Sequence, residues 1–338
     1  MTAQSTRSGG RTPAGRAERP PLSRRVFKLE HPANVGPLIH IALWCGLLTV
    51  GLLVPAATNW FVAVPLILLL SLLNLSITIG VLHMHTHRPL FVSRRMNRVA
   101  DVLCCIPGAL TGVVMREAHV LNHHRFNDGP RDVTSTEGRE HGLPAVWYWL
   151  RYTTIIHIHT LRTVFATHPS ADRRKRRHQH MLDVTLLISF LGVTAYFADN
   201  ARLVLFYVLP FVLTQVNSGY FAWMTHAPAR VFDDDPSKSI NTVGNWLNFW
   251  IFNQGYHSVH HRYPGLHWSQ IPDKLDFMRQ VDAGVVVPYW MTLNSMWRLF
   301  VRDGFLDTSY GQRWKAKLET RLDQGDVRAR LLPWFVWV

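Results

Sequence analysis

The chain has 338 residues, 48% of them hydrophobic and 12% aromatic, and a net charge of +14 with histidine neutral. Long apolar runs alternate with strongly basic stretches, which is the profile of a membrane protein, so the positive charge is read as lipid- and topology-related and not as a nucleic-acid surface. Three cysteines without CxxC spacing, Cys45, Cys104 and Cys105, exclude a disulfide framework and a cysteine-ligated cluster.

Residues 1–36 are rich in Arg, Ser, Gly and Pro and have no apolar periodicity, which predicts a disordered basic arm ahead of a single domain over 37–338. Ser23-Arg24-Arg25-Val26-Phe27-Lys28 imitates a twin-arginine export signal, but it reads better as the positive flank of a first span. Apolar runs at 38–54 and 61–82 are each long enough to cross ~30 Å of hydrocarbon at ~1.5 Å per residue. Only six residues, Pro55 to Trp60, separate them. A second pair follows at 182–197 and 203–224, so four spans in two hairpins are predicted. The segment between the pairs carries Arg94, Arg95, Arg98, Arg116, Arg125, Arg131 and the run Arg173-Arg174-Lys175-Arg176-Arg177, whereas the two hairpin turns carry only Arg202. The positive-inside rule then puts both termini and an all-helical cap, made from 83–181 and 225–338, on the cytoplasmic side.

Three apolar stretches are too short or too polar for spans. Val99 to Met115 holds Pro107, Gly108 and Gly112 and is expected to be re-entrant or interfacial. Val146 to Phe165 contains Arg151, His157, His159 and Arg162 and reads as an amphipathic interfacial helix. Val285 to Val301 contains Pro288 and is expected to pack on the membrane face of the cap.

Histidines collect at the predicted membrane ends. His83 and His87 are four apart, so on a helix they lie about 40° apart at ~100° per residue and can share one metal. His119 and His123 repeat the spacing, with His124 turned about 100° away towards a neighbouring metal. His257 and His261 repeat it again, with His260 in the offset position, and His226 closes the fourth span at the same level. One HxxxH is weak, but nine such histidines at one depth outweigh a role as mere interfacial anchors. Imidazole suits Fe, Zn, Cu and Ni; one tetrahedral zinc takes four ligands, whereas two six-coordinate irons can use nine and keep positions open for oxygen. There is no HExxH and no paired Glu-x-x-His, which argues against a zincin protease and a carboxylate di-iron bundle.

His83-x-x-x-His87, His119-x-x-x-His123-His124 and His257-x-x-His260-His261 resemble the three histidine boxes of the membrane fatty-acid desaturases, over roughly residues 37–272. The resemblance implies that these eight histidines and His226 bind two irons. It also implies that O2 is activated between the irons and a C–H bond of a lipid chain is broken. Asn253, one turn before His257, is similar to an asparagine that reaches metal through water. His85 is an extra histidine in the first box, pointing about 200° from His83 on a helix, and it stays outside the main set with His267. Asp101, Glu117, Asp128 and Asp132 are candidates to accept the second N–H of a bound imidazole.

The reading is an O2-dependent acyl-lipid desaturase. A hydroxylase or ketolase of a lipid or carotenoid with the same centre is the nearest alternative, followed by a metal transporter or sensor and by a purely structural membrane protein. No GxGxxG, cysteine cluster or haem domain is present to receive electrons, so an external donor is expected, a ferredoxin or a cytochrome with its reductase. The Arg173–Arg177 run is a docking candidate for an acidic carrier and equally a contact for lipid head groups.

Overall fold

The computed structural model describes residues 27–139, 142–230, 239–274 and 285–288, and these are mostly helical. In chain order the main elements are α1 (Pro32–Leu53), α2 (Trp60–His87), α3 (Arg94–Gly108), α4 (Gly112–Phe126), α5 (Gly142–Val164), α6 (Ala171–Phe197) and α7 (Asn200–Ala227, continuing to Arg230). They are followed by β1 (Ile240–Val243), α8 (Asn245–Trp250), α9 (His257–Arg262) and β2 (Val285–Pro288). Four helices, α1, α2, α6 and α7, are long and apolar enough to cross a membrane. The expected apolar runs lie inside them, but the helices do not stop where hydropathy falls. α2 runs on past Leu82 to His87, and α6 starts at Ala171 instead of Leu182, because Ser170 caps it by accepting from Arg173 N–H.

Polar contacts between apolar helices fix α1 against α2. His40 Nδ1 lies 2.7 Å from Ser76 Oγ, and Trp44 Nε1–H donates to Asn74 Oδ1, all four side chains buried among Ile41, Leu48, Leu70 and Leu73. In hydrocarbon such groups have no water to fall back on, so pairing them specifies how the helices meet. α7 and α5 approach until their backbones touch: a Cβ on Gly219 would run into the Trp149 carbonyl and Cα. α3 and α4 are bent by 89° about a short break. Ala109 turns the chain there with φ 48°, and Gly108 packs on Thr78 of α2 with no room for a side chain. The stretch from Val99 to Met115 is thus a broken helix pair, a broken span or a re-entrant loop.

Two expectations need correction. The fold is not purely helical, because β1 and β2 pair in parallel with Ile240 opposite Val285. Val285-Val286-Val287 is β-branched throughout, which favours an extended strand. The rest of the 285–301 stretch falls outside the described residues. The supposed arm is docked from residue 27 on. Leu29 bridges Phe91, Arg88 pairs bidentately with Glu30 (2.7 and 2.9 Å), and His31 stacks on His267 with ring centroids 3.8 Å apart. Composition showed its basic, glycine-rich beginning but not the long-range partners of its last ten residues.

Candidate metal centre

The histidines come together because the backbone widens locally where two of the boxes lie. Hydrogen bonding changes from i→i+4 to i→i+5 over Ser76–Leu82, directly before His83, and over Arg116–His123. Such wide turns bring residues five apart onto one face. His119 and His124 accordingly meet, Nε2 to Nε2, at 2.9 Å. The expected sharing of one metal by His119 and His123 is therefore not what the structure shows.

All nine expected histidines gather in two groups. His83, His87, His119, His124 and His260 form one; His123, His226, His257 and His261 form the other. Within each group one ring nitrogen per residue lies within 4.8 Å of all the others, as donors about 2.1 Å from a shared cation would be. α9 serves both groups: His257 and His261, one turn apart, face one, and His260 faces the other. Asn241 and Asn248, on and after β1, hold the approach to α9. Asn241 Oδ1 accepts from Ser258 N–H at 3.1 Å, and Asn248 Oδ1 accepts from Gly255 N–H at 3.1 Å. A Cβ at Gly255 would collide with Asn248 Oδ1 and the Thr242 carbonyl, so the chain passes here only as glycine.

The donor chemistry fits a metal. His83 Nδ1 faces the Ile79 carbonyl at 3.2 Å, His123 Nδ1 faces Asp132 Oδ2 at 2.6 Å, and His261 Nδ1 faces Asn127 Oδ1 at 3.1 Å. These oxygens only accept, so each Nδ1 carries the proton and each Nε2 keeps its lone pair. Yet His123 Nε2 and His261 Nε2 stand 3.2 Å apart. Two lone pairs at that distance require a positive charge between them, a proton for one pair or a metal ion for the whole group. His87 Nε2 is buried without a hydrogen-bond partner, an arrangement that costs about 1–3 kcal/mol unless a ligand satisfies it. Burial, then the neighbouring rings, hold His257, His260 and His261 well below the ordinary histidine pKa, so they are neutral as ligands must be.

Of the four acids, Asp132 hydrogen-bonds one of the nine, His123. Burial raises its pKa, but His123 and the Thr134 N–H and hydroxyl outweigh this and keep it ionised. Asp128 braces the same loop by accepting from Thr136 N–H at 2.6 Å and its hydroxyl at 2.8 Å. Glu117 takes the Arg176 guanidinium, and Asp101 lies 3.4 Å from His85. His85 itself is turned away from both groups, its Nδ1 accepting from Leu90 N–H at 3.0 Å. His267 is occupied by Asn34 Oδ1 at 2.9 Å. Asn253 is not one helical turn before His257, since α9 begins at His257; it has φ 61° and donates to the Trp268 carbonyl at 2.9 Å. Histidine spacing gave no signal for Asn127, Thr134, Asn241, Asn248 or Tyr148; the nearest hint was the turn sequence Asn127-Asp128-Gly129-Pro130 after the second box.

A cavity of about 40 Å³ touches both groups, meeting His83 and His119 of one and His123, His226 and His257 of the other. Its remaining wall is mainly apolar and aromatic, with Ile79, Met115, Tyr148, Tyr152 and Phe221. Tyr148 donates to the Thr134 carbonyl at 2.8 Å, tying the wall to the loop that holds Asp132. A second, polar cavity of about 480 Å³ reaches His87 and is bordered by Asp101, Arg116, Asp172, Lys175 and Arg176. Of the basic run, Arg176 is spent on Glu117 and Asp172, Arg174 donates to the Pro169 carbonyl at 3.0 Å, and Arg177 stacks over Phe165.

Compared with known proteins, the chain matches the sequence model of one family, described as fatty acid desaturase, over residues 58–293. That range includes all three boxes and His226. The curated proteins and the solved structures give no match.

Proposed function

Because this chain belongs to the fatty acid desaturase family, we propose that it is a membrane-embedded, O2-dependent desaturase that puts a double bond into an acyl chain of a lipid. The single observation behind this reading is the apolar cavity walled by members of both histidine groups. The group of five and the group of four would each hold one iron ion. When bound, the irons would activate O2, the oxidant in the net conversion of R–CH2–CH2–R′, O2, two electrons and two protons to R–CH=CH–R′ and two waters.

The chain's own residues do the rest. Asp132, Ile79 and Asn127 fix the ring orientation of His123, His83 and His261, and Tyr148 and Tyr152 shape the wall against which the acyl chain lies. Ile79, Met115 and Phe221 exclude water from the reacting carbons, so one carbon pair is presented in a fixed place. In our reading α1–α2 and α6–α7 are two transmembrane hairpins, with the termini, the histidine-bearing cap and the site on the cytoplasmic side. The α3–α4 pair is re-entrant.

Electrons come from a separate acidic carrier, a ferredoxin or a cytochrome with its reductase. Lys175, on the border of the polar cavity that reaches His87, and Arg173 two residues before it would meet the carrier. Reversing both charges should raise the KM for the carrier; unchanged turnover with the native carrier would remove this docking site. The reaction itself is tested by lipid profiling of a host expressing wild type, His257→Ala or His123→Ala, with iron analysis of the purified proteins. New unsaturated product from wild type alone supports the assignment, a hydroxylated or keto product replaces it with the alternative chemistry, and activity retained in both variants sinks it.

A further inference from the structure

The outer face of α5 is exposed and mainly apolar, interrupted in its middle turn by Thr154. Leu143, Trp147, Leu150, Ile158, Leu161 and, just past the helix end, Phe165 are all exposed, Trp147 at 58% and Leu150 at 51%. At ~100° per residue they fall within about 80° of arc, and over ~1.5 Å per residue the stripe runs on the order of 30 Å. Ala145, Tyr148 and Ile156 project from the opposite side and are buried. Arg151 and Arg162 both lie along one edge of the stripe, and Gly142–Val164 contains no acidic residue.

The chemistry of this face specifies what covers it. A single apolar stripe, one basic edge, a tryptophan and no carboxylates match a helix lying in a bilayer surface with its cations at the head groups. α5 is also fastened to a helix apolar enough to span, through the backbone contact of Trp149 with Gly219. Its inner face meanwhile lines the cavity between the two histidine groups, through Tyr148 and Tyr152. One helix diameter, about 10–12 Å, therefore separates the stripe from the reacting position.

We propose that α5 lies in the plane of the membrane with this stripe among the acyl chains, and that the chain oxidised belongs to a lipid of that same membrane. It reaches the cavity sideways along the seam lined by Tyr152, Phe221 and Ala222, leaving the Trp149–Gly219 backbone contact in place. This rests on the desaturase reading and adds its substrate class: a bilayer-resident lipid, as opposed to a water-soluble acyl thioester. The cavity of about 40 Å³ cannot take a whole chain, so side chains along this seam must part as the substrate enters.

Two measurements test it on the full-length, iron-loaded protein in vesicles containing anionic phospholipid. In the first, spin labels on Leu150→Cys and Ile158→Cys are exposed to O2 and to a water-soluble nickel chelate, with wild type as background for the native cysteines. Strong relaxation by O2 and weak relaxation by nickel are expected. Nickel access would put the stripe in water, and protection from both would put protein over it, such as another part of this chain or a second copy; either overturns the proposal. In the second, reductant is supplied together with either vesicle lipid or a soluble acyl thioester. Product from the vesicle lipid is expected, falling roughly tenfold or more in Ala222→Trp and less in the milder Ala222→Leu, with iron content showing that each variant folds. Product from the thioester alone overturns lateral access. If the labels place α5 in the bilayer and neither substrate is oxidised, the placement stands and it is the desaturase reading that fails.

Discussion

His123 and Asp132 meet through a 2.6 Å hydrogen bond between Nδ1 and Oδ2, both side chains buried. The carboxylate sets the tautomer that leaves His123 Nε2 free to bind, and it is itself held by Thr134 N–H at 2.8 Å and by Asp128 N–H at 2.8 Å. Asp132→Asn keeps the shape but can present an N–H where an acceptor is needed. The expected result is a loss of roughly 10–100-fold in metal affinity or activity, as for other partners of bound imidazoles. Metal titration of purified variants checks this; full metal content and turnover in Asp132→Asn would show that His123 is oriented by something else.

His85 and His87 sit two residues apart in the same box and have opposite surroundings. His87 Nε2 is buried and unpartnered beside four other rings, whereas His85 closes the turn after the helix by accepting from Leu90 N–H. His87→Ala should abolish iron binding by the five-histidine group. His85→Gln should retain iron and activity with some loss of stability, on the order of 1 kcal/mol for one hydrogen bond. Iron stoichiometry separates the two, and an iron-deficient His85→Gln would move His85 into the ligand set.

These two histidines also show what a sequence can carry. Helical periodicity turns His85 away from His83 and His87, and the structure agrees because α2 is regular over His83–His87. The same arithmetic misassigns His123 and His124, because Arg116–His123 is wound with wider turns whose signature is not a matter of residue type. The four membrane-length helices were legible because hydrophobicity over ~20 residues is a local property. The partners Asp132, Asn127 and Asn241 were not singled out by any such pattern: they reach their histidines or Ser258 from loops or, for Asn241, from β1, from 9, 134 and 17 residues away. Asp132 could be suspected as an acid, but nothing in its spacing distinguished it from Asp128.

Acidification should weaken the packing of residues 30–34 through His267. Burial first, then His31 and Arg88, hold its pKa down to about 4, with Glu30 acting in the opposite sense. The neutral ring has both nitrogens engaged, with Asn34 Oδ1 at 2.9 Å and Ser269 Oγ at 2.8 Å. Because the folded pKa lies below the unfolded value of ~6.5, the unfolded chain binds more protons between the two. Stability from His267 is therefore complete above pH ~6.5 and is lost as pH falls towards 4. Thermal unfolding in detergent should show a midpoint that drops over this window in wild type and drops less in His267→Gln. Parallel curves for the two proteins would contradict the assignment.

Gly219 links the α5–α7 contact to the cavity wall, because Tyr148 and Tyr152 flank Trp149 on α5. It lies against the backbone of Trp149, and backbone, unlike a long side chain, has nowhere to swing. Gly219→Ala must push α5 away from α7 by itself, at a cost of about 1–3 kcal/mol for overpacking. The displacement is transmitted to Tyr148 and Tyr152, one residue before and three after Trp149, and hence to the cavity that touches both histidine groups. Iron content should survive, because none of the nine histidines lies on α5, while turnover falls and the position of the double bond becomes less uniform. Gly192→Ala, at a site with nothing within 4 Å of the new methyl, is the control that should change neither. Equal behaviour of the two variants in product distribution would mean that α5 does not position the substrate.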